Sequence, residues 1–281
     1  MAGIRREMDS TSAINPRTLK VHRVPARDVP YVPTDDAVVA AMLRFAGVTE
    51  RDVLYDLGCG DGRIVIQAAR LCGCRGVGVD IDPVRIMESR ENAKRARVTD
   101  RVRFYCQSFF DTDFREATVV ALYLLPSINV KLRPRLMSDL RTGARIVANG
   151  FEIAGWPADM RAEAHHRTLH QWIVPARVDG AWAGVIDAPP VGRSDGRRRI
   201  GLRLVREFQT VSGEARVDGR TYPVVGGRLF GERFTFKVMD PQKRRPAWRF
   251  SATVEDRGVM RGTCQLAGWD AAPIEWGAIK R

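Results

Sequence analysis

Long apolar runs are missing from this chain of 281 residues. The longest ones, such as 118–126, are far shorter than the roughly 20 residues that a membrane-spanning helix requires. The first 20 residues are polar and contain no apolar core of the kind found in secretory signals. We therefore expect a cytoplasmic protein without a membrane span. Its 44% of apolar residues is ordinary for a protein with a packed core.

Cysteine is also scarce, and the five cysteines form no C-x-x-C pair. An odd number without that spacing indicates neither a disulfide framework nor a zinc knuckle. His165, His166 and His170 are the remaining candidates for metal ligands. On a strand, however, His166 and His170 would stand roughly 13 Å apart, too far for one ion. No metal site is predicted.

Acidic residues are outnumbered, 33 against 46 basic ones, and the formal charge is +13. The excess is +5 up to residue 176 and +8 after it. Such a field favours acidic partners, whether nucleic acid, acidic protein surfaces or anionic lipid. Charge alone does not separate a nucleic-acid binder from a generally basic protein.

Strands and helices are predicted to alternate through the first half of the chain. The pattern predicts strands at 52–58, 75–80, 101–107, 117–125 and 144–151, and helices at 34–48, 62–73, 83–98 and 128–141. Thr34 is the expected N-cap of the first helix, Gly73 ends the second, Pro83 opens the third, and Pro134 interrupts the fourth. This order predicts an α/β fold with a doubly wound, mainly parallel sheet, and a hairpin within 161–178 can close its edge.

The pattern changes after residue 176, where only short alternating segments separated by turns remain. They predict a small antiparallel β-barrel or sandwich. We therefore divide the chain into a tail (1–24), an α/β domain (25–176) and an all-β domain (177–281). The segment GAW at 180–182 resembles the opening of lipocalin-like barrels, which implies that Lys280 or Arg281 packs on Trp182.

A glycine-rich turn, YDLGCGDGR at 55–63, follows the first predicted strand and precedes a helix. Gly58 and Gly60 permit a tight turn and let a ligand approach the amides at the helix N-terminus. Asp56 stands just before the turn, where a carboxylate suits a ligand with a cationic amino group. Asp80 ends the next strand, 20 residues after Gly60, at the spacing of an acid that binds ribose hydroxyls.

This turn resembles the E/D-x-G-x-G-x-G loop of class I methyltransferases that use S-adenosylmethionine. The resemblance implies that cofactor, with the loop around its methionine portion and Asp80 on its ribose. The third strand of the family usually ends in an acid that contacts the adenine, and Ser108 takes that position here. The implied cofactor contacts are Thr34, Asp56, Gly58, Cys59, Gly60, Gly62, Asp80, Ile81, Ser108 and Phe109.

Four segments in order resemble the small archaeal protein-lysine methyltransferases, which have relatives in mitochondria and bacteria. They are VPYVPT (29–34), YDLGCGDGRIVI (55–66), EATVVALYLLPSIN (116–129) and ARIVANGFEIAGW (144–156). The resemblance implies methylation of lysine amino groups, with Tyr31 and Tyr123 lining the acceptor channel. Asn149 is the third candidate catalytic residue. It stands with Gly150 where those relatives carry a His–acid pair, which leaves the substrate choice open.

The segment LYLLPS at 122–127 differs from the N/D-P-P-Y/F motif of methyltransferases that act on planar amines. We therefore favour a protein substrate with acidic surfaces over nucleic acid. A methyltransferase for RNA or a small molecule is one alternative. A non-catalytic scaffold that binds the cofactor is the other.

Overall fold

The computed structural model describes residues 33–187, 196–242, 245–266 and 272–281. The tail predicted for 1–24 and residues 29–32 of the VPYVPT segment lie outside these ranges. Within the ranges, every helix is too short or too polar to span a bilayer.

The first domain is a sheet covered by helices. Its helices are α1 (Asp36–Phe45), α2 (Arg63–Cys72), α3 (Pro83–Arg95) and α4 (Pro126–Asp139). Its strands are β1 (Val53–Leu57), β2 (Arg75–Asp80), β3 (Val102–Cys106), β4 (Val119–Leu122), β5 (Arg145–Asn149), β6 (Met160–Ala164) and β7 (Arg167–Ile173). The strand order is β3-β2-β1-β4-β5-β7-β6, in which β1 to β5 are parallel and the β6–β7 hairpin is antiparallel. The predicted doubly wound sheet is therefore confirmed, and the hairpin closes its edge.

Local signals explain where these elements begin and end. β1 and β4 are buried at every position because helices cover both faces of the sheet. Gly73 ends α2 in the left-handed conformation, with φ of 71°. Pro83 occupies the first turn of α3, and the side chain of Asp82 accepts the amide of Val84 at 3.0 Å.

Two local predictions were wrong. The N-cap of α1 is Asp35, whose carbonyl accepts the amide of Val39, and not Thr34. The carbonyl of Thr34 instead accepts Nη1 of Arg63 at 2.8 Å, so a distant contact holds this residue outside the helix. The helix α4 continues through Pro134 without interruption. Its apolar face is fully buried on both sides of the proline, and this packing outweighs the lost backbone bond.

The second domain is a closed barrel and not a sandwich, the two folds that the sequence predicted as alternatives. Its strands are β8 (Gly180–Asp187), β9 (Arg197–Glu207), β10 (Thr210–Val217), β11 (Arg220–Phe230), β12 (Arg233–Asp240), β13 (Arg245–Glu255), β14 (Val259–Leu266) and β15 (Ile274–Lys280). They close in the order β10-β11-β12-β13-β14-β15-β8-β9. Inward side chains fill the barrel, including a cluster of Phe236, Phe250 and Trp276. Nζ of Lys280 lies 5.8 Å from the ring of Trp182, as the GAW resemblance implied.

The turn between β9 and β10 attaches the barrel to the first domain. The chain reverses between β9 and β10 at Phe208, which has φ of 52°. The Phe208 ring stacks on Trp156 with 6.1 Å between centroids, and Arg133 lies 5.6 Å from its centroid. Nε2 of Gln209 donates to Oδ2 of Asp159 at 2.9 Å. These contacts to a distant part of the chain stabilise the reversal.

The barrel adjoins the amino-terminal edge of the sheet, where the parallel strands begin. β7 is antiparallel to β5, so Ile173, the last residue of β7, pairs with Arg145, the first residue of β5. The chain leaves the sheet there, and the amide of Ala176 donates to the carbonyl of Gly231 at 3.0 Å. The glycine-rich turn lies at the opposite, carboxyl edge. In α/β sheets this carboxyl edge is where ligands bind.

Candidate active site

The glycine-rich turn is held against the end of β2. The amides of Gly58 and Cys59 both donate to the carbonyl of Val79, each at 2.9 Å. The φ angles of the glycines at 58, 60 and 62 are 90°, 53° and 80°, which favour glycine. A Cβ on Gly62 would also lie 2.8 Å from a phenyl ring of β3. The turn therefore presents bare backbone to a ligand.

Asp56 is a buried acid at the end of β1. The residue is 2% exposed, and no described residue donates a hydrogen bond to its carboxylate. Burial, with a smaller contribution from Asp80 and Asp61, raises the pKa of Asp56 to about 8. Burial removes the water that would stabilise the ionised carboxylate, and a nearby cation would restore that stabilisation. The role of Asp56 as partner of a ligand ammonium stays a prediction, and the burial of its carboxylate is compatible with it.

Asp80 ends β2 and reaches across to the glycine turn. Its Oδ2 accepts the amide of Gly60 at 2.9 Å, and its Oδ1 accepts the amide of Asp82 at 2.9 Å. Both oxygens keep a further lone pair. The acid is therefore fixed in orientation and can still accept two hydroxyl groups, as the ribose prediction requires.

An arginine clamp, unforeseen from the sequence, locks the other side of the turn. Nε and Nη2 of Arg63 donate to Asp61, and Nη1 donates to the carbonyl of Thr34. Nδ2 of Asn92 donates to the carbonyl of Asp61 at 3.0 Å. The clamp ties the segment before α1 to the start of α2. The D-G-R sequence at 61–63 was the only signal, and it says nothing about a partner at residue 34.

The loop after β3 contains the residues predicted to contact adenine. Oγ of Ser108 accepts the amide of Phe110 at 3.1 Å, which leaves its second lone pair and its proton for a ligand. Phe109 is 8% exposed and packs in the core, with 4.8 Å between its ring centroid and that of Phe110. Ile81 is half-buried in the bend after β2.

Gly58, Tyr123 and Asn149 occupy neighbouring positions at the carboxyl edge. The sheet register aligns the residues just before them, at 57, 122 and 148. Asn149 is 2% exposed, and its Oδ1 has no hydrogen-bond partner within the described ranges. Tyr123 is half-buried. Tyr31, the third predicted catalytic residue, lies outside the described residues.

Comparison with known proteins identifies the kind of site. Residues 56–160 match the ANTKMT methyltransferase domain family. A protein-lysine N-methyltransferase of Saccharolobus islandicus is 46% identical over 129 residues, which are 46% of this chain and 80% of that enzyme. The chain belongs to this family of S-adenosylmethionine-dependent methyltransferases.

Two further relatives of the methyltransferase bear different names. The adenine nucleotide translocase lysine N-methyltransferase of Mus musculus is 33% identical over 136 residues, which are 48% of this chain and 58% of that enzyme. A crystal structure of an RNA methyltransferase from Salinibacter ruber, in complex with S-adenosyl-L-homocysteine, is 49% identical. The match covers 52% of this chain and 96% of the Salinibacter ruber chain, with a TM-score of 0.51.

The methyltransferase site fits S-adenosylmethionine, the cofactor of the family. The buried Asp56 carboxylate would supply the countercharge for the cofactor's amino group. Asp80 retains acceptors for the ribose hydroxyls, and the glycine turn offers amides without side chains in the way. The chemistry of the donor set therefore agrees with the cofactor that the resemblance implied.

Proposed function

We propose that this methyltransferase transfers methyl groups to lysine side chains of protein. The observation that carries the proposal is the composition of the loops at the carboxyl edge, where exposed apolar side chains follow Tyr123 and the buried Asn149. Leu125 and Phe151, which follow β4 and β5, are 39% and 38% exposed, and Tyr123 lies beside them in sequence and register. An aliphatic stem that ends in an amine suits such a rim. The names of the Saccharolobus islandicus and Mus musculus relatives support the same substrate class.

Asn149 and Asp56 face the same side of the sheet. Asp56 pairs with Ala121, and Ala121 pairs with Val147, two residues before Asn149. Residues two apart on a strand share a face. This shared face supports a role in which Oδ1 of Asn149 accepts an N–H of the incoming amine and orients its lone pair.

The bound cofactor supplies a methyl group on a positively charged sulfur. The amine forms an N–C bond as the S–C bond breaks, and the protein's task is alignment. A lysine ammonium has an ordinary pKa near 10.4 and must first lose its proton to solvent. Apolar surroundings and a nearby cation both lower that pKa. Asn149, Tyr123 and the glycine turn then position the neutral amine and exclude water.

A second candidate function, methylation of RNA, is favoured by one observation. The Salinibacter ruber protein, at 49% identity, is described as an RNA methyltransferase. The residues after β4 argue against a planar amine, because the sequence LYLLPS has no Asn or Asp to hold one.

The two candidates are separated by the macromolecule that carries the label. Purified protein is incubated with host lysate and tritiated S-adenosylmethionine, and the product is treated with protease or nuclease. We expect the label to be lost with protease, to survive nuclease, and to appear as methyl-lysine after acid hydrolysis. The Asp80→Ala variant, which cannot hold the ribose, serves as the inactive control. Label that nuclease removes would establish the RNA function instead.

A further inference from the structure

The outward side of strands β11 to β14 has a distinct composition. Glu255, which pairs with Val259, closes one end of this surface. The twelve outward positions in the three rows next to that pair contain five basic residues, five neutral polar residues, two apolar residues and no acid. They are Val225, Arg228, Phe230, Arg233, Thr235, Lys237, Arg249, Ser251, Thr253, Arg261, Thr263 and Gln265, and all twelve are exposed. We call this surface the basic face.

The strand register arranges the basic face in three rows. The first row is Val225–Lys237–Arg249–Gln265, the second Arg228–Thr235–Ser251–Thr263, and the third Phe230–Arg233–Thr253–Arg261. Neighbours within a row are about 4.8 Å apart, and rows are about 6.7 Å apart along a strand. Thr235 therefore separates Arg233 from Lys237 along β12, while Lys237 and Arg249 are direct neighbours in the first row.

Most cations of the basic face have no acidic partner. Within the described ranges, Arg228, Arg233, Lys237 and Arg249 form no ion pair, and Arg261 contacts Glu255 at the border of the face. The rest of the barrel differs, because Asp187, Glu207, Glu214 and Glu275 interrupt its outer surface. Arg197 on that side pairs with Asp187 at 3.3 Å. The positive charge is thus concentrated on one side of the barrel.

We propose that the basic face binds the phosphate backbone of a single-stranded nucleic acid. Arginine, lysine, serine and threonine are the side chains that contact phosphates, and such contacts need no apolar centre. A folded acidic protein needs an apolar core in its interface, but the only apolar residues of this face, Val225 and Phe230, lie two rows apart on β11 with Arg228 between them. The phenyl ring of Phe230, with Arg233 at 5.4 Å from its centroid, offers one surface for base stacking.

The shape of the barrel favours a flexible strand over a flat or rigid partner. Four consecutive strands of a closed barrel form a convex surface, which a planar bilayer touches only along its crest. Duplex DNA is stiff over about 150 base pairs and cannot follow that curvature cheaply. A single strand can follow the rows. The proposal rests on barrel residues alone and holds whichever group the enzyme methylates.

Binding is measured by fluorescence anisotropy of the full-length chain with a labelled oligouridylate of about 20 nucleotides, at roughly 50 to 200 mM KCl. We expect affinity to fall steeply with salt. The triple variant Arg233→Gln, Lys237→Gln, Arg249→Gln should bind about tenfold more weakly or worse, with a salt slope smaller by about 2, since each phosphate contact on a single strand contributes about 0.7. If this triple variant melts below the wild type, the single variants Lys237→Gln and Arg249→Gln are used, each with an expected slope change of about 0.7.

The matched control is the triple variant Arg199→Gln, Arg203→Gln, Arg216→Gln, which removes the same charge from β9 and β10. Its affinity should stay within about twofold of the wild type. An equal loss in both triples would show that only net charge matters and would overturn the proposal. Tighter binding to phosphatidylserine vesicles or to polyglutamate than to the oligonucleotide would overturn it in favour of a membrane or an acidic protein.

Discussion

Asp56 shows how one residue can serve binding at the expense of stability. The fold buries its carboxylate, and the raised pKa means that the folded protein holds a proton that the unfolded chain has released. Between the ordinary carboxyl pKa and about 8, the unfolded state binds fewer protons, so the contribution of Asp56 to stability falls as pH rises. A ligand ammonium bound beside Asp56 would offset this loss.

Replacing Asp56 with Asn should separate these two effects. We expect Asp56→Asn to raise the melting temperature of the ligand-free protein at pH 8 by several degrees, with a smaller gain at pH 5. Cofactor affinity should fall by about 10- to 100-fold, because a charged hydrogen bond is lost. Calorimetry and thermal unfolding measure both quantities. Asp256→Asn, the same change at an exposed acid, should alter neither, and parallel behaviour of the two variants would contradict the role of Asp56.

Asn149 is the second residue tested, because its buried Oδ1 has no partner among the described residues and is proposed to bind the incoming amine. We expect Asn149→Leu, which keeps the approximate shape but removes Oδ1, to lower kcat about tenfold or more while the cofactor Kd is unchanged. The control is Gln171→Met, because Gln171 is also buried with an unpartnered amide oxygen but lies two residues further from the carboxyl edge. It should keep kcat near the wild-type value. Equal losses in both variants would indicate a structural role for Asn149.

At the scale of elements, the glycine turn and the arginine clamp form one rigid unit. Backbone amides of the turn donate to the carbonyl of Val79 and to the carboxylate of Asp80. The clamp joins the turn to the segment before α1. Gly62 has the least freedom, since its φ and its neighbours both exclude a side chain. Contacts within the protein therefore hold the glycine turn in its conformation.

The close packing of the turn can be tested by substituting two glycines that have nearly the same φ. Gly62 and Gly143 have φ of 80° and 82°, but a Cβ meets nothing within 4 Å at Gly143. Gly143→Ala should cost only the backbone strain, about 1 kcal/mol of unfolding free energy. Gly62→Ala should cost about 1–3 kcal/mol more, because the ring on β3 and Ser89 must move. Urea unfolding measures the difference, and equal costs would contradict the close packing of the turn.

At the scale of the molecule, the barrel is docked by the reversal at Phe208 and Gln209. Trp156, which receives the Phe208 ring, is 1% exposed and belongs to the core of the first domain. A contact that enters a core couples the stability of both domains. The barrel thus keeps a fixed position at the edge opposite the active site.

Removal of the Phe208 ring should uncouple the domains. We expect calorimetric unfolding of the wild type to be a single transition, and that of Phe208→Ala to split into two. Phe230→Ala is the matched control, because Phe230 is also a phenylalanine with an arginine over its ring but lies on the exposed barrel surface. It should keep one transition. Two transitions already in the wild type would contradict the coupling.

The sequence by itself determined the parts of this protein that depend on local order. Strand and helix alternation is a short-range pattern, so the doubly wound sheet could be predicted from it. The cofactor was implied by the resemblance of the glycine turn, with Asp56 and Asp80, to a known family. Gly73 and Pro83 marked helix ends because their backbone preferences act within one turn.

Only the tertiary structure decided what depends on residues far apart in the chain. The Arg63 contact to Thr34 moved the start of α1, and packing carried α4 through Pro134. The second domain is a barrel because its first and last strands, β8 and β15, pair with each other. The sequence of either strand alone does not predict that pairing. The unpartnered oxygen of Asn149 and the concentration of charge on the basic face likewise arise only when separate strands come into register.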